Sequence, residues 1–153
     1  MTFRDSVKKC LSNYVTFSGR AARSEFWWFA LFVFGGQIVL SWLDIALFGT
    51  TEVDGSSFSG QTDTPVFSGL FGLAMLLPMV SVAVRRLHDR DKSGWWYWIA
   101  LIPLVGVIIL IVWFATEGIR GENQYGPDPL DDDGGSGGGE GLTASSIPSV
   151  PRD

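Results

Sequence analysis

This chain predicts an all-α polytopic membrane protein, with three transmembrane helices preceded by an amphipathic interfacial helix. Three observations carry that expectation: three long apolar runs, basic residues confined to particular connections, and a helical apolar stripe ahead of the first run. Hydrophobic residues make up 46% of the 153 positions and charged residues 18%, against about 25% charged in an ordinary soluble domain. That balance excludes a disordered chain and a nucleic-acid-binding one. The length allows one domain, read as a membrane domain over 1–130 followed by a disordered, acidic, Gly/Ser-rich tail over 131–153. The formal charge of -5 belongs to the tail, since residues 117–153 hold two basic and eight acidic side chains while residues 1–116 hold nine and eight. Cys10 is the single cysteine, which excludes an internal disulfide and a cysteine metal cluster.

The first span, Phe26 to Phe48, contains one ionisable residue, Asp44; the second, Pro65 to Val84, and the third, Trp95 to Thr116, contain none. At 1.5 Å per residue each helix measures about 30 to 35 Å, the thickness of a hydrocarbon core. A soluble bundle would need polar residues every third or fourth position on an outward face, and these runs are apolar all round. Arg4, Lys8, Lys9, Arg20 and Arg23 precede the first span, and Arg85, Arg86, Arg90 and Lys92 separate the second from the third. The 49–64 connection has no base but carries Glu52, Asp54 and Asp63. The positive-inside rule therefore makes the N-terminus and the 85–94 loop cytoplasmic, and three crossings put the tail outside. Trp27, Trp28, Trp95, Trp96 and Trp113 lie near span ends, where amphipathic rings sit at the headgroup level. Pro78 and Pro103 predict bends, because a proline frees the carbonyl four residues earlier.

Ahead of the first span, Phe3, Val7, Cys10, Leu11, Tyr14 and Val15 form the helical stripe, and Arg4, Asp5, Lys8, Lys9, Ser12 and Asn13 the opposite face. Such a helix lies in the cytoplasmic headgroup layer or docks on the cytoplasmic ends of the spans, since burial against lipid or protein yields one pattern. The tail composition cannot offset chain entropy by burial, and reads as either a solvated extension or an interaction tail.

The densest polar cluster is the run from Arg85 through Leu87, His88, Asp89, Arg90, Asp91 and Ser93 to Gly94, Trp95 and Trp96. Together with the Phe17–Trp27 stretch, which includes Gly19, Arg20, Arg23 and Glu25, and with Gly118, Gly121, Asn123, Tyr125, Gly126, Pro127, Asp128 and Pro129, it resembles the bacterial inner-membrane family catalogued as domain of unknown function 805. The resemblance covers roughly residues 1–130, with three motifs in order. It implies a small multi-pass protein of the bacterial plasma membrane and brings no established reaction. The 50–64 loop and the extension beyond Leu130 depart from a minimal member.

Read from the residues, Arg20, Arg23, Arg85, Arg86, His88 and Asp89 are candidate contacts for anionic lipid headgroups or a partner protein, at about 1 kcal/mol per basic residue near a membrane surface. The competing role for the same bases is to set topology and snorkel from helix ends. His88 is the only histidine, a poor basis for a metal site, no G-x-S-x-G elbow accompanies Ser93, His88 and Asp89, and no cofactor motif is present. The expected role is non-enzymatic contact with anionic lipid, a membrane partner or a second copy. The alternative is a small transporter or channel subunit acting as an oligomer, with Asp44, Gln37 and Pro78 near its path; a lipid-converting enzyme using His88 and Asp89 ranks third.

Overall fold

The computed structural model describes residues 1–54, 57–61 and 65–130; the 131–153 tail lies outside the described residues. Helix α1 (Phe3–Ser12) leads to α2 (Arg23–Phe48), strands β1 (Thr50–Asp54) and β2 (Ser57–Gln61), α3 (Val66–His88), a 3-10 helix (Gly94–Leu101) and α4 (Val105–Ala115). The strands pair antiparallel, Thr50 opposite Gln61 and Asp54 opposite Ser57, so a small hairpin joins what composition predicted to be wholly helical.

Helices α2 and α3, 26 and 23 residues long, span about 39 and 35 Å at helical rise. In their most apolar stretches only 6% and 28% of positions are buried within the chain. A soluble core helix would bury most of that surface, so these two helices have the length and the outward apolar face of membrane crossings. At their far end Asp44 of α2 reaches across to start α3. Its carboxylate accepts from the backbone N–H groups of Phe67 and Ser68 at 2.9 Å each and from Ser68 Oγ at 2.7 Å. Pro65, the residue preceding α3, offers no side-chain cap, so a neighbouring helix supplies the acceptor that the first turn requires.

Helix α1 begins at Thr2, whose hydroxyl accepts from the Asp5 N–H at 3.3 Å, and docks on α2 and α3 through its buried Ser6 and Cys10. Of the two placements open from sequence, docking on protein takes Cys10 and part of Val7, while Phe3, Leu11 and Val15 stay exposed. The segment behind α1 binds the proline site of α3. Ser81 Oγ donates to the carbonyls of Asn13 (3.1 Å) and Thr16 (2.6 Å), and the Tyr14 hydroxyl donates to the carbonyl of Ala74. Ala74 lies four residues before Pro78, so the carbonyl that proline leaves without an N–H partner is satisfied from another element. Tyr14→Phe should therefore destabilise the fold by about 1–3 kcal/mol in detergent unfolding. In a Pro78→Ala background, where the helical bond is restored, the penalty should largely vanish; equal penalties in both backgrounds would show that Tyr14 acts elsewhere.

The third apolar run, expected as one crossing helix over 95–116, is not one helix, and a third span is not shown. It forms the 3-10 helix and the 11-residue α4, separated at Ile102, Pro103 and Leu104. Proline restricts the residue before it to extended backbone, and Ile102 has φ -82°, ψ 106°. Leu104 adopts φ +63°, a left-handed conformation that reverses the chain. The two pieces then run back along each other: Trp96 meets Trp113 edge-on at 5.7 Å, Lys92 Nζ lies 4.5 Å from the Trp113 ring centre, and Gly106 passes so close to the Ile99 carbonyl that a side chain there would collide with it. Gly94, at the start of the hairpin, packs against Val84, and the Phe114 and Thr116 carbonyls, at its end, bind Arg86. The segment thus returns to the end of α3 from which it left. At about 16 Å, α4 reaches roughly half a hydrocarbon core.

The core is concentrated at that same end, where Cys10, Ala21, Phe26, Phe29, Val82, Ala83, Leu87, Leu110 and Phe114 are buried together.

Candidate functional site

The six sequence-predicted contact residues gather where α2 begins and α3 ends, yet five of them are buried: Arg20, Arg85, Arg86, His88 and Asp89; Arg23 is exposed. Inside the chain Arg85 pairs with Glu25, and the other four join one buried network. Its centre is Asp89, the residue just after α3. Arg20 donates to Asp89 Oδ1 through Nε (3.0 Å) and Nη2 (2.8 Å), and Arg86 Nη1 donates to Oδ2. One carboxylate thus serves two guanidinium groups, and the remaining donors go to backbone. Arg86 bonds the carbonyls of Phe114 (3.2 Å), Thr116 and Ala21 (3.4 Å); Arg20 bonds those of Ile119, Gly121 (2.5 Å) and Gly126 (3.3 Å). A buried charge this well supplied with partners is stable only while all of them stay in place.

These arginines hold a strap, residues 117–130, across the ends of the helices. The Ile119 N–H donates to the Asp89 carbonyl (2.9 Å), Asn123 Nδ2 to the His88 carbonyl (2.9 Å), and Tyr125 stacks on His88 at 3.9 Å with the rings 2° from parallel. His88 Nδ1 faces the Gly19 carbonyl at 3.2 Å and so carries the proton of that bond. Gly118 lies against the Asp89 carboxylate, where a Cβ would overlap it. Asp128 closes the strap on itself by accepting from the N–H groups of Leu130 (3.0 Å) and Gly121 (3.2 Å). The Leu130 and Gly121 N–H groups, with Arg20 and Arg120 nearby, hold its carboxyl below the usual carboxylate range.

A second ionic group sits beside the first. Glu25 is fully buried; its Oε1 accepts from Arg85 Nη1 at 2.7 Å and from Cys10 Sγ at 3.8 Å, and its Oε2 is ion-paired with Lys9 Nζ at 3.4 Å. Burial and the Glu25 charge push the Cys10 thiol up to about 12, so at neutral pH it stays protonated and unreactive. Sequence reasoning missed Glu25 because the apolar run was started one residue later, although its place directly before that run and inside the Phe17–Trp27 motif marked it. Of the residues named for a transport path formed by an oligomer, Asp44 is occupied in starting α3, Pro78 is buried, and Gln37 lines an apolar groove of about 540 Å³ with Trp27, Leu31, Phe34 and Met79.

What this arrangement does chemically is hold chain to chain. Two outward-facing apolar helices, clasped at one end by buried arginines, a re-entering hairpin and a strap, define a small helical membrane protein. The match to known families is specific: residues 14–127 fit the family described as "Protein of unknown function (DUF805)", and the chain belongs to it. The chain is 40% identical over 125 residues to "Inner membrane protein YhaH" of Escherichia coli strain K12, covering 82% of this chain and 96% of that one. Identity is also 40%, over 121 residues, to "Inner membrane protein YhaI" of the same strain, covering 78% and 90%. "Uncharacterized protein YiiR" is 31% identical over 143 residues, covering 76% and 87%. No solved structure matches the chain.

Proposed function

We propose that this inner-membrane protein is non-enzymatic and contacts anionic phospholipid on the cytoplasmic side, through α1 rather than through the arginine motifs. The observation that carries the reading is the exposed pair Arg4 and Lys8, one helical turn apart. They line a concave surface of about 580 Å³ together with Phe3, Val7, Leu11 and Phe32 of α2. Cationic heads beside exposed apolar side chains suit a phosphate group with acyl chain below it. The cytoplasmic assignment follows from the charge pattern: Arg4, Lys8, Arg23 and Lys92 belong to the clasped end, and the connection at the other end, 49–64, contains no base.

Arg4→Gln with Lys8→Gln should weaken retention of phosphatidylglycerol or cardiolipin by about 2 kcal/mol at low salt, with the wild-type advantage shrinking as salt rises. Because both side chains are exposed, the variant should melt like wild type. Unchanged lipid retention in the well-folded variant would end this reading.

A further inference from the structure

The two halves of the molecule differ in girth. Around residues 25–33 of α2 and 75–88 of α3 five helical elements pack side by side. Helix α1 lies there through Phe3 against Trp28 and Phe32 and through Lys9 against Glu25. The 3-10 helix and α4 lie there through Gly94 against Val84 and Phe114 against Phe26. Beyond this level the contacts between helices among the described residues are those of α2 with α3, such as Gly36 with Phe71 and Phe48 with Phe67. Leu70, Leu73, Val39 and Trp42 in this narrow half are each 59–71% exposed.

We propose that the protein is a membrane wedge that favours bilayers curved convexly toward its α1 end. A hairpin about 16 Å deep enters one leaflet and turns back at Pro103 and Leu104, so it adds area to that leaflet only. Helix α1 adds further area at the same level. A body with five elements in one leaflet and two in the other fills a cylinder badly; lipids at the narrow half must splay to meet it, or the bilayer must bend. Bending relieves the mismatch, as with helices inserted into one leaflet. The inference is independent of headgroup charge and of which compartment the α1 end faces.

The test uses the full chain, fluorescently labelled and reconstituted in giant vesicles of phosphatidylcholine, from which thin tubes are pulled. A membrane-impermeant quencher separates molecules with the α1 end outward from those with it inward. Molecules with the α1 end outward should be enriched on the tube over the parent vesicle on the order of twofold, and the inverted population should be depleted. Equal densities of both populations would overturn the wedge, as would a stable dimer whose second copy fills the narrow half. Since the vesicles carry no anionic lipid, failure here leaves the headgroup contact of α1 standing, and failure of that contact leaves the wedge standing.

Discussion

Replacing Asp89 with alanine should cost about 3–5 kcal/mol and release the strap from the helix ends. Asp89 is the shared counter-charge of Arg20 and Arg86, whose side chains are 1% and 0% exposed. Neither guanidinium reaches bulk water without dismantling the packing around it. The variant leaves two buried cations facing each other, a worse state than one broken pair. Thermal unfolding in detergent reads the loss, and limited proteolysis within 117–130 reads the freed strap. Asp89→Asn, which keeps the shape and one acceptor oxygen, should fall between wild type and alanine because it restores hydrogen bonds but no charge. An alanine variant that melts like wild type would mean that the network is solvated and contributes little.

A reporter fused after Leu130 is expected on the same side of the membrane as the N-terminus, an all-or-none outcome. Three crossings would have put it opposite. The carbonyls of Ile119, Gly121 and Gly126 all bind Arg20, which precedes α2, so the strap and the N-terminal segment share one end of the helix pair. The intervening hairpin leaves and returns at that end. A reporter on the far side would require those three bonds and the His88–Tyr125 stack to be absent. Cys10 is unsuitable as the internal marker: it is fully buried and its thiol is pushed up to about 12. Ser12→Cys, at the exposed end of α1, supplies an accessible thiol that maleimide should label from the reporter's side only.

Much of this molecule was legible before any coordinates. Helix α1 follows the stripe read from Phe3 to Val15 as far as Ser12, leaving Tyr14 and Val15 outside; α2 encloses the first apolar run with three extra residues before it, and α3 covers the second except Pro65, with four extra residues after it. Those extra residues are where sequence reading stopped short. Arg23, Ser24 and Glu25, like Arg85, Arg86 and His88, are polar and fall outside the apolar runs, whereas each set completes the clasped end of a helix. Burial of Arg86 and Glu25 had no local signature, because a guanidinium in a loop and one in a network of carbonyls have the same neighbours along the chain. The pairing of β1 with β2 was equally silent, the Ser, Gly and Thr content there being typical of any connection.

Composition and periodicity determined that the chain is mainly helical, that its apolar surface must face a non-aqueous medium, and that it has three apolar runs of membrane length, of which the structure forms two into bare helices long enough to cross. Those are properties summed over a window, and neighbours in sequence suffice to set them. Whether the third apolar run forms one helix or folds back was decided only in three dimensions. Trp95 to Thr116 has the length and hydropathy of a span, and a proline alone is compatible with a kinked one. The reversal turns at Leu104, whose positive φ is strained, and it is held because Gly106 lets the two arms touch and Arg86 waits at the far end for the carbonyls of Phe114 and Thr116. Arg86 is 28 residues from Phe114, and no window that reads one helix at a time brings those partners together.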